Sequence, residues 1–281
     1  MPHRPAWAPD DVEIERPSAA RMYDFYLGGS HNFEADRELA RLAVSHWPDL
    51  PLVMRANRAF LRRAVRYLVE QGVTQFLDLG SGIPTVGNVH EEAAAANPSC
   101  RVVYVDVDPV AVAHSRLLLQ GVPGAAVVHA DARDIDSVLS AAQTRTLLDL
   151  SKPVAVMMVA LLHFVPDADD PVDLVARYRE AMAPGSYLAV SHATVDGVGE
   201  LMRDHERIYQ RSATPIYART RAQVQALFDG FELVEPGVVF LPLWRPDPEE
   251  PPVEQPERFS GYAAVGRILP ASGTQEATRE R

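Results

Sequence analysis

The stretch that most constrains this chain is Gln75 to Gly82, QFLDLGSG, a short apolar strand through Phe76 and Leu77 that ends in Asp78 and then turns on Gly80 and Gly82. Glycine at both turn positions lets the backbone bend sharply and approach a ligand without Cβ collisions. Two glycines so spaced are common. The pattern gains weight from RVVYVDVDP at Arg101 to Pro109, a second apolar strand that delivers Asp106 at its end. Ligands of open α/β sheets bind outside the carboxyl ends of the strands, and an acid closing the second strand is placed to accept from ribose hydroxyls.

The remaining strands follow at βα spacing. Ala125 to His129 leads into Ala130, Asp131 and Ala132; the run PVAVMMVALL at Pro153 to Leu162 is apolar enough for a central parallel strand covered on both faces. Ser186 to His192, Phe231 to Glu235 and Phe259 to Ile268 complete the set. Helices are expected between them. Asp108 precedes Pro109 as an N-cap, Asp134 and Asp136 begin a helix ending near Leu150, and Thr220 with Gln223 forms a capping box. Thr85 or Asn88 caps the helix that runs through Ala96, and His90 beside it reads as structural.

Ahead of the sheet, Asp36 to His46 reads as a helix ended by Pro48 and Pro51, and Arg55 to Gln71 as an amphipathic one with Phe60, Ala64 and Leu68 on its apolar stripe. Arg55, Asn57 and Arg58 at its start read as surface residues, with the pocket as the alternative. Met22, Tyr23, Phe25, Tyr26, Leu27 and Phe33 surround Gly28 and Gly29, with His31 and Asn32 beside them. Such an aromatic turn either closes over a pocket or anchors an N-terminal helix on the core.

DLGSG, YVDVDP, VVHADARD and the strand ending in LLHF, taken in order, resemble the class I methyltransferases that use S-adenosylmethionine. RPSAARMYDFYLGGSHNFEADRE at Arg16 to Glu38, followed by RANRAFLRRAVRYL, resembles more closely an actinobacterial S-adenosyl methyltransferase family of unassigned substrate. The resemblance implies a Rossmann-like α/β fold with a seven-stranded, mostly parallel sheet whose last strand is antiparallel, plus an N-terminal helical extension. It implies residues 1–70 as arm and helical cap and residues 71–271 as the S-adenosylmethionine-binding domain; residues 272–281 read as a disordered tail from their own composition. It assigns Asp106 and Val107 to the ribose and its surroundings, and Asp131 and Ala132 to the adenine edge. Asp78, Gly80, Ser81 and Gly82 then meet the rest of the cofactor, and Tyr23, Gly28, Gly29 and Asn32 close over it.

Pro84, with Thr85 where a dinucleotide fingerprint has its last glycine, argues against NAD or FAD. With 27 Lys and Arg against 38 Asp and Glu, a formal charge of -11 argues against a nucleic-acid groove. One cysteine, Cys100, excludes an intrachain disulfide, and the acids from Asp167 to Asp173 lack the spacing of a calcium loop, so no metal is expected. MPHRPAWAPDD does not read as a signal peptide and no apolar run reaches membrane-spanning length, so a cytoplasmic protein is expected.

The implied reaction is transfer of a methyl group to an O, N or C nucleophile of a small molecule. His163 and His192, each following a strand at the ligand-binding edge, are the candidate bases if that nucleophile is a hydroxyl. A regulatory protein that binds the cofactor without turnover, and a partner-binding α/β protein whose glycines are only turns, are the competing classes.

Overall fold

The computed structural model describes residue 8, residues 12–84 and residues 87–269. The expected N-terminal arm, the tail and Thr85 therefore lie largely or wholly outside the described residues. The strands are β1 (Gln75–Leu79), β2 (Arg101–Asp106), β3 (Ala125–His129), β4 (Ala155–Val159), β5 (Tyr187–Ala193), β6 (Glu232–Leu233), β7 (Val239–Phe240) and β8 (Gly261–Arg267). They form one sheet in the order β3-β2-β1-β4-β5-β8-β6, with β7 also paired to β8. β1 to β5 are parallel, and β8 inserts antiparallel between β5 and β6. The sheet thus has the expected class I methyltransferase plan, with one strand more than the seven expected. The extra strand, β7, comes from the proline-rich excursion after Pro236, where Val239 and Phe240 reach Ala263 and Tyr262.

Both faces of the sheet are covered, which is why its strands read as continuous apolar runs. Successive residues point to opposite faces: Phe76 and Met157 join one core cluster, Leu77 and Met158 the other. On the first face lie α1 (Ala19–Tyr26), α2 (Glu34–His46), α3 (Leu50–Glu70) and α4 (Val89–Ala96). Met22, Leu39 and Phe60 share a single cluster with Phe76 and Ala189, so the N-terminal helices have no core apart from the sheet's.

α5 (Pro109–Leu118) follows β2, capped by Asp108, whose carboxylate accepts from the Val110 and Ala111 amides. Where one helix ending near Leu150 was expected, α6 (Ile135–Ser140) and α7 (Ala142–Leu147) stand instead. Ala141 is extended between them, and the Thr144 hydroxyl donates to the Val138 carbonyl left over at the end of α6. α8 (Pro171–Ala181), α9 (Gly199–Tyr209) and α10 (Arg221–Ala226) complete the helices, the last with the expected Thr220–Gln223 capping box. Pro51 does not end α2; it sits in the first turn of α3, where a missing N–H costs nothing, so α3 begins five residues before Arg55. Among the described residues, no helix is long and apolar enough to cross a membrane.

Candidate functional site

A cavity of about 440 Å³ opens at the carboxyl ends of β1, β2, β4 and β5, within the usual range for small-molecule sites. Asp78, Gly80, Ser81, Gly82, Asp106, Val107, Asp131, Ala132, Tyr23, His163 and His192 all line it. Gly28, Gly29 and Asn32 do not. The loop after α1 turns instead around Asp24, whose carboxylate accepts from the His31 amide and from the Asn32 side chain. A Cβ on Gly29 would lie 2.0 Å from that carboxylate. These two glycines and Asn32 thus lie off the cavity lining and build the cap's own loop.

The sheet-edge wall is organised by carboxylates. Gly80 and Gly82 both take positive φ, 66° and 67°, as the turn requires. The Gly80 and Ser81 amides donate to the Val105 carbonyl at 2.8 and 3.1 Å, which ties the glycine turn to β2. Asp106 locks the other side: one oxygen accepts from the Gly82 amide at 2.7 Å, the other from the Asp108 amide at 2.8 Å. Burial pushes the Asp106 carboxyl up to about 6 against those hydrogen bonds. Asp78, buried, rises to about 7, mainly by loss of solvent; the Arg58 charge opposes the shift and the Asp106 charge adds to it.

Asp131 differs from these two, because Arg133 already holds both its oxygens, at 2.6 to 3.1 Å, and keeps its carboxyl below the usual range. Arg133 also reaches Asp169 at 2.6 Å. Asp131 is placed at the cavity but can meet a ligand amine only by sharing its lone pairs with that guanidinium.

The opposite wall is helical and apolar. Trp47, Leu50, Val53, Met54, Leu61, Phe164, Met202, His205, Tyr209, Ile216 and Leu241 form it, gathered from segments remote in sequence. A hydrogen-bond chain pins this wall to the sheet. Ser191 donates to the Asn57 side-chain oxygen, Asn57 donates to the Tyr23 hydroxyl at 2.9 Å, and Tyr23 donates to the Met54 carbonyl at 3.2 Å. Asn57 and Arg58 accordingly face the cavity, the alternative reading of their sequence position.

A buried ion network makes a second joint. Arg21 pairs with Asp36 at 3.0 Å and with Asp108 at 3.3 Å, and the Ser18 hydroxyl also donates to Asp108. The first turn of α1 is thereby fastened to the end of β2.

The two candidate histidines have their tautomers set by their partners. Arg219 can only donate, so its contact with His192 Nε2 at 2.9 Å makes that nitrogen an acceptor and leaves Nδ1–H to donate to the Ala193 carbonyl at 2.7 Å. Burial holds His192 down to about 3. Both nitrogens are committed, so His192 has no lone pair for a substrate proton. His163 accepts the Ala193 amide on Nδ1 at 3.3 Å, which places the proton of the neutral ring on Nε2. Its pKa lies well below the ordinary value, first by burial and then by His192, Arg219 and His205. Towards a ligand, such a ring donates a hydrogen bond and does not take a proton.

Apart from Phe164 in the LLHF run, Leu241 in a stretch that packs down and the i, i+4 pair His205 and Tyr209 on one helix, the helical wall carried no signal of its own in the sequence.

The residues of the sheet-edge wall fit an adenosyl cofactor. Each Asp106 oxygen uses one lone pair on backbone and keeps one for a ribose hydroxyl. Val107 is 58% exposed and offers an apolar face beside it, a Cβ on Gly82 would enter open space, and the Ser81 hydroxyl is buried with no partner among the described residues.

The profile of a family described as S-adenosyl methyltransferase matches residues 5–269. In solved structures, a candidate methyltransferase from Thermobifida fusca is 43% identical, covering 95% of this chain and 100% of its own with a TM-score of 0.89. A DUF574-family protein from Streptomyces avermitilis is 41% identical over 91% of this chain and 98% of its own, with a TM-score of 0.87. Human N-acetylserotonin methyltransferase, solved with S-adenosylmethionine, is 15% identical over 90% of this chain and 60% of its own at a TM-score of 0.50, a likeness of fold alone. No curated protein matches the chain by sequence. The chain belongs to the S-adenosyl methyltransferase family, and its cofactor is S-adenosylmethionine.

Proposed function

We propose that this protein transfers the cofactor's methyl group to a small molecule held against the helical wall of the cavity. The observation that carries the reading is Asp106, whose carboxylate stands at the cavity wall, oriented by the Gly82 and Asp108 amides with lone pairs to spare. Asp106 holds the ribose, and Val107, Asp131 and Ala132 border the adenine. Asp78 and the Gly80–Gly82 turn meet the methionine part, and Tyr23 closes the cavity through its bonds to Asn57 and Met54.

When bound, the cofactor supplies an electrophilic methyl group on a cationic sulfur. The chain's part is to orient and to exclude water: bringing donor and acceptor to about 3–3.5 Å in line supplies several kcal/mol without any covalent intermediate. His192 acts as a positioning residue, bracing the Ala193 end of β5, and His163 presents its Nε2–H to the cavity. Neither serves as base, so the acceptor attacks as a neutral nucleophile, and the proton it sheds on methylation passes to solvent.

Calorimetric titration with S-adenosylmethionine and S-adenosylhomocysteine tests this assignment. Saturable binding that Asp106→Asn weakens is expected; absence of binding, or binding indifferent to Asp106, contradicts it.

A further inference from the structure

The cavity is divided by charge. Its fully ionisable lining residues, Arg58, Asp78, Asp106, Asp108, Asp131 and Arg133, all belong to the sheet-edge side or pair with it, and Arg58 acts electrostatically on Asp78. The helical wall has none. Arg219 lies behind His192, buried, with its charge balanced by Asp167 at 2.5 Å.

What the helical wall does have is imidazole between aromatic rings. His205 is 5% exposed and sits 5.5 Å from Trp47 and 4.7 Å from Tyr209, measured between ring centres. Neither of its ring nitrogens meets a hydrogen-bond partner among the described residues; Nδ1 is sealed off, and Nε2 is the nitrogen left to a ligand in the cavity. Leaving a buried polar ring unsatisfied is costly, so such groups mark a place where a partner belongs. His163, packed 4.4 Å from Phe164, offers Nε2–H to the same space. Burial keeps both imidazoles neutral, His205 down to about 4.

We infer that the methyl acceptor is an uncharged, largely apolar aromatic molecule whose hydroxyl or similar polar group hydrogen-bonds the His205 and His163 imidazoles. This deepens the proposed function and rests on it. A carboxylate, phosphate or ammonium would lose its hydration here with no opposite charge on the helical wall to meet it, which selects against ionic acceptors. An aromatic body stacks on Trp47, Phe164 and Tyr209, and its polar group satisfies the orphaned ring.

The test titrates the protein, with and without saturating S-adenosylhomocysteine, with 2-naphthol, 2-naphthoate and 2-naphthylmethylammonium, following heat by calorimetry. The neutral probe is expected to bind about tenfold tighter than either ion, and His205→Phe to remove about tenfold of the naphthol affinity. His163→Phe serves the same purpose if the first variant does not fold. An ion binding as tightly as naphthol, no binding by any probe, or unchanged naphthol affinity in the variants overturns the inference. Failure of S-adenosylhomocysteine to bind would defeat the cofactor assignment instead, while the probe ranking without it still judges the helical wall.

Discussion

The sheet-edge wall of the cavity carries its polar groups as carboxylates anchored by backbone amides, whereas the helical wall carries imidazoles kept neutral among apolar rings. One wall is charged and built from three consecutive βα units, with Arg58 reaching it from α3; the other is uncharged and assembled from apolar residues of α1, α3, α9 and the loops after β4 and β7. A site divided this way can grip a polar, cationic cofactor on one side and leave the other side free to select an acceptor by shape. The walls also titrate in opposite senses, which gives the comparison a physical handle.

The largest effect is expected where the walls are joined. Arg21→Ala leaves Asp36 and Asp108 as buried carboxylates without their cation, a loss of about 3–5 kcal/mol of stability measurable by urea unfolding. A change under about 1 kcal/mol would mean the joint is incidental.

Next comes the charged wall alone. Asp106→Asn keeps the shape but gives up charge-assisted acceptance, and S-adenosylmethionine affinity should fall about ten- to hundredfold by calorimetry.

The pH dependence of stability separates the walls. Asp78 and Asp106 rise from about 3.8 to about 7 and about 6 on folding, so between those values the folded chain binds more protons than the unfolded one. Their contribution to stability falls as pH rises through that window. His205 drops from 6.5 to about 4 and His192 to about 3, so there the unfolded chain binds more protons and stability is lost as pH falls below about 6.5. In urea unfolding at a series of pH values from about 4.5 to 7.5, Asp78→Asn should make stability rise more steeply with pH, and His205→Leu less steeply. Slopes that move together, or not at all, would remove the distinction.

The smallest effect concerns the turn. Gly80→Ala puts a Cβ 2.6 Å from the Leu161 side chain at φ 66°, a cost of about 1–2 kcal/mol visible in thermal melting.

The charged wall was legible in the sequence because its determinants are local. A strand, a glycine turn and an acid at the next strand's end lie within one βαβ unit, and Asp106 and Asp108 could be told apart because Pro109 marks the cap. The helical wall was not legible in this way. Trp47, His205 and Leu241 become neighbours of Phe164 only once α2, α9 and the β7 excursion pack on the sheet, and of the four only Phe164, in the LLHF run beside His163, is announced by its flanking residues.

Gly28, Gly29 and Asn32 illustrate the converse. Their aromatic surroundings suggested a pocket, yet Asp24, an ordinary-looking acid in α1, captures Asn32 and the His31 amide and turns the loop inward on itself. His192 looked like a base until its two partners were visible, because only tertiary structure brings Arg219 to its Nε2. The sheet order itself was foreseeable, while β7, two residues long, carried too little pattern to be read.

In the proposed function the sheet-edge wall holds the adenosyl cofactor and leaves the helical wall to the acceptor. A high-resolution crystal structure with S-adenosylhomocysteine tests it most directly. The ribose hydroxyls are expected on Asp106, the adenine between Val107 and Ala132, and open space beside His163 and His205. A cofactor lying along the helical wall, with Asp106 and Asp131 turned away from it, would contradict the assignment.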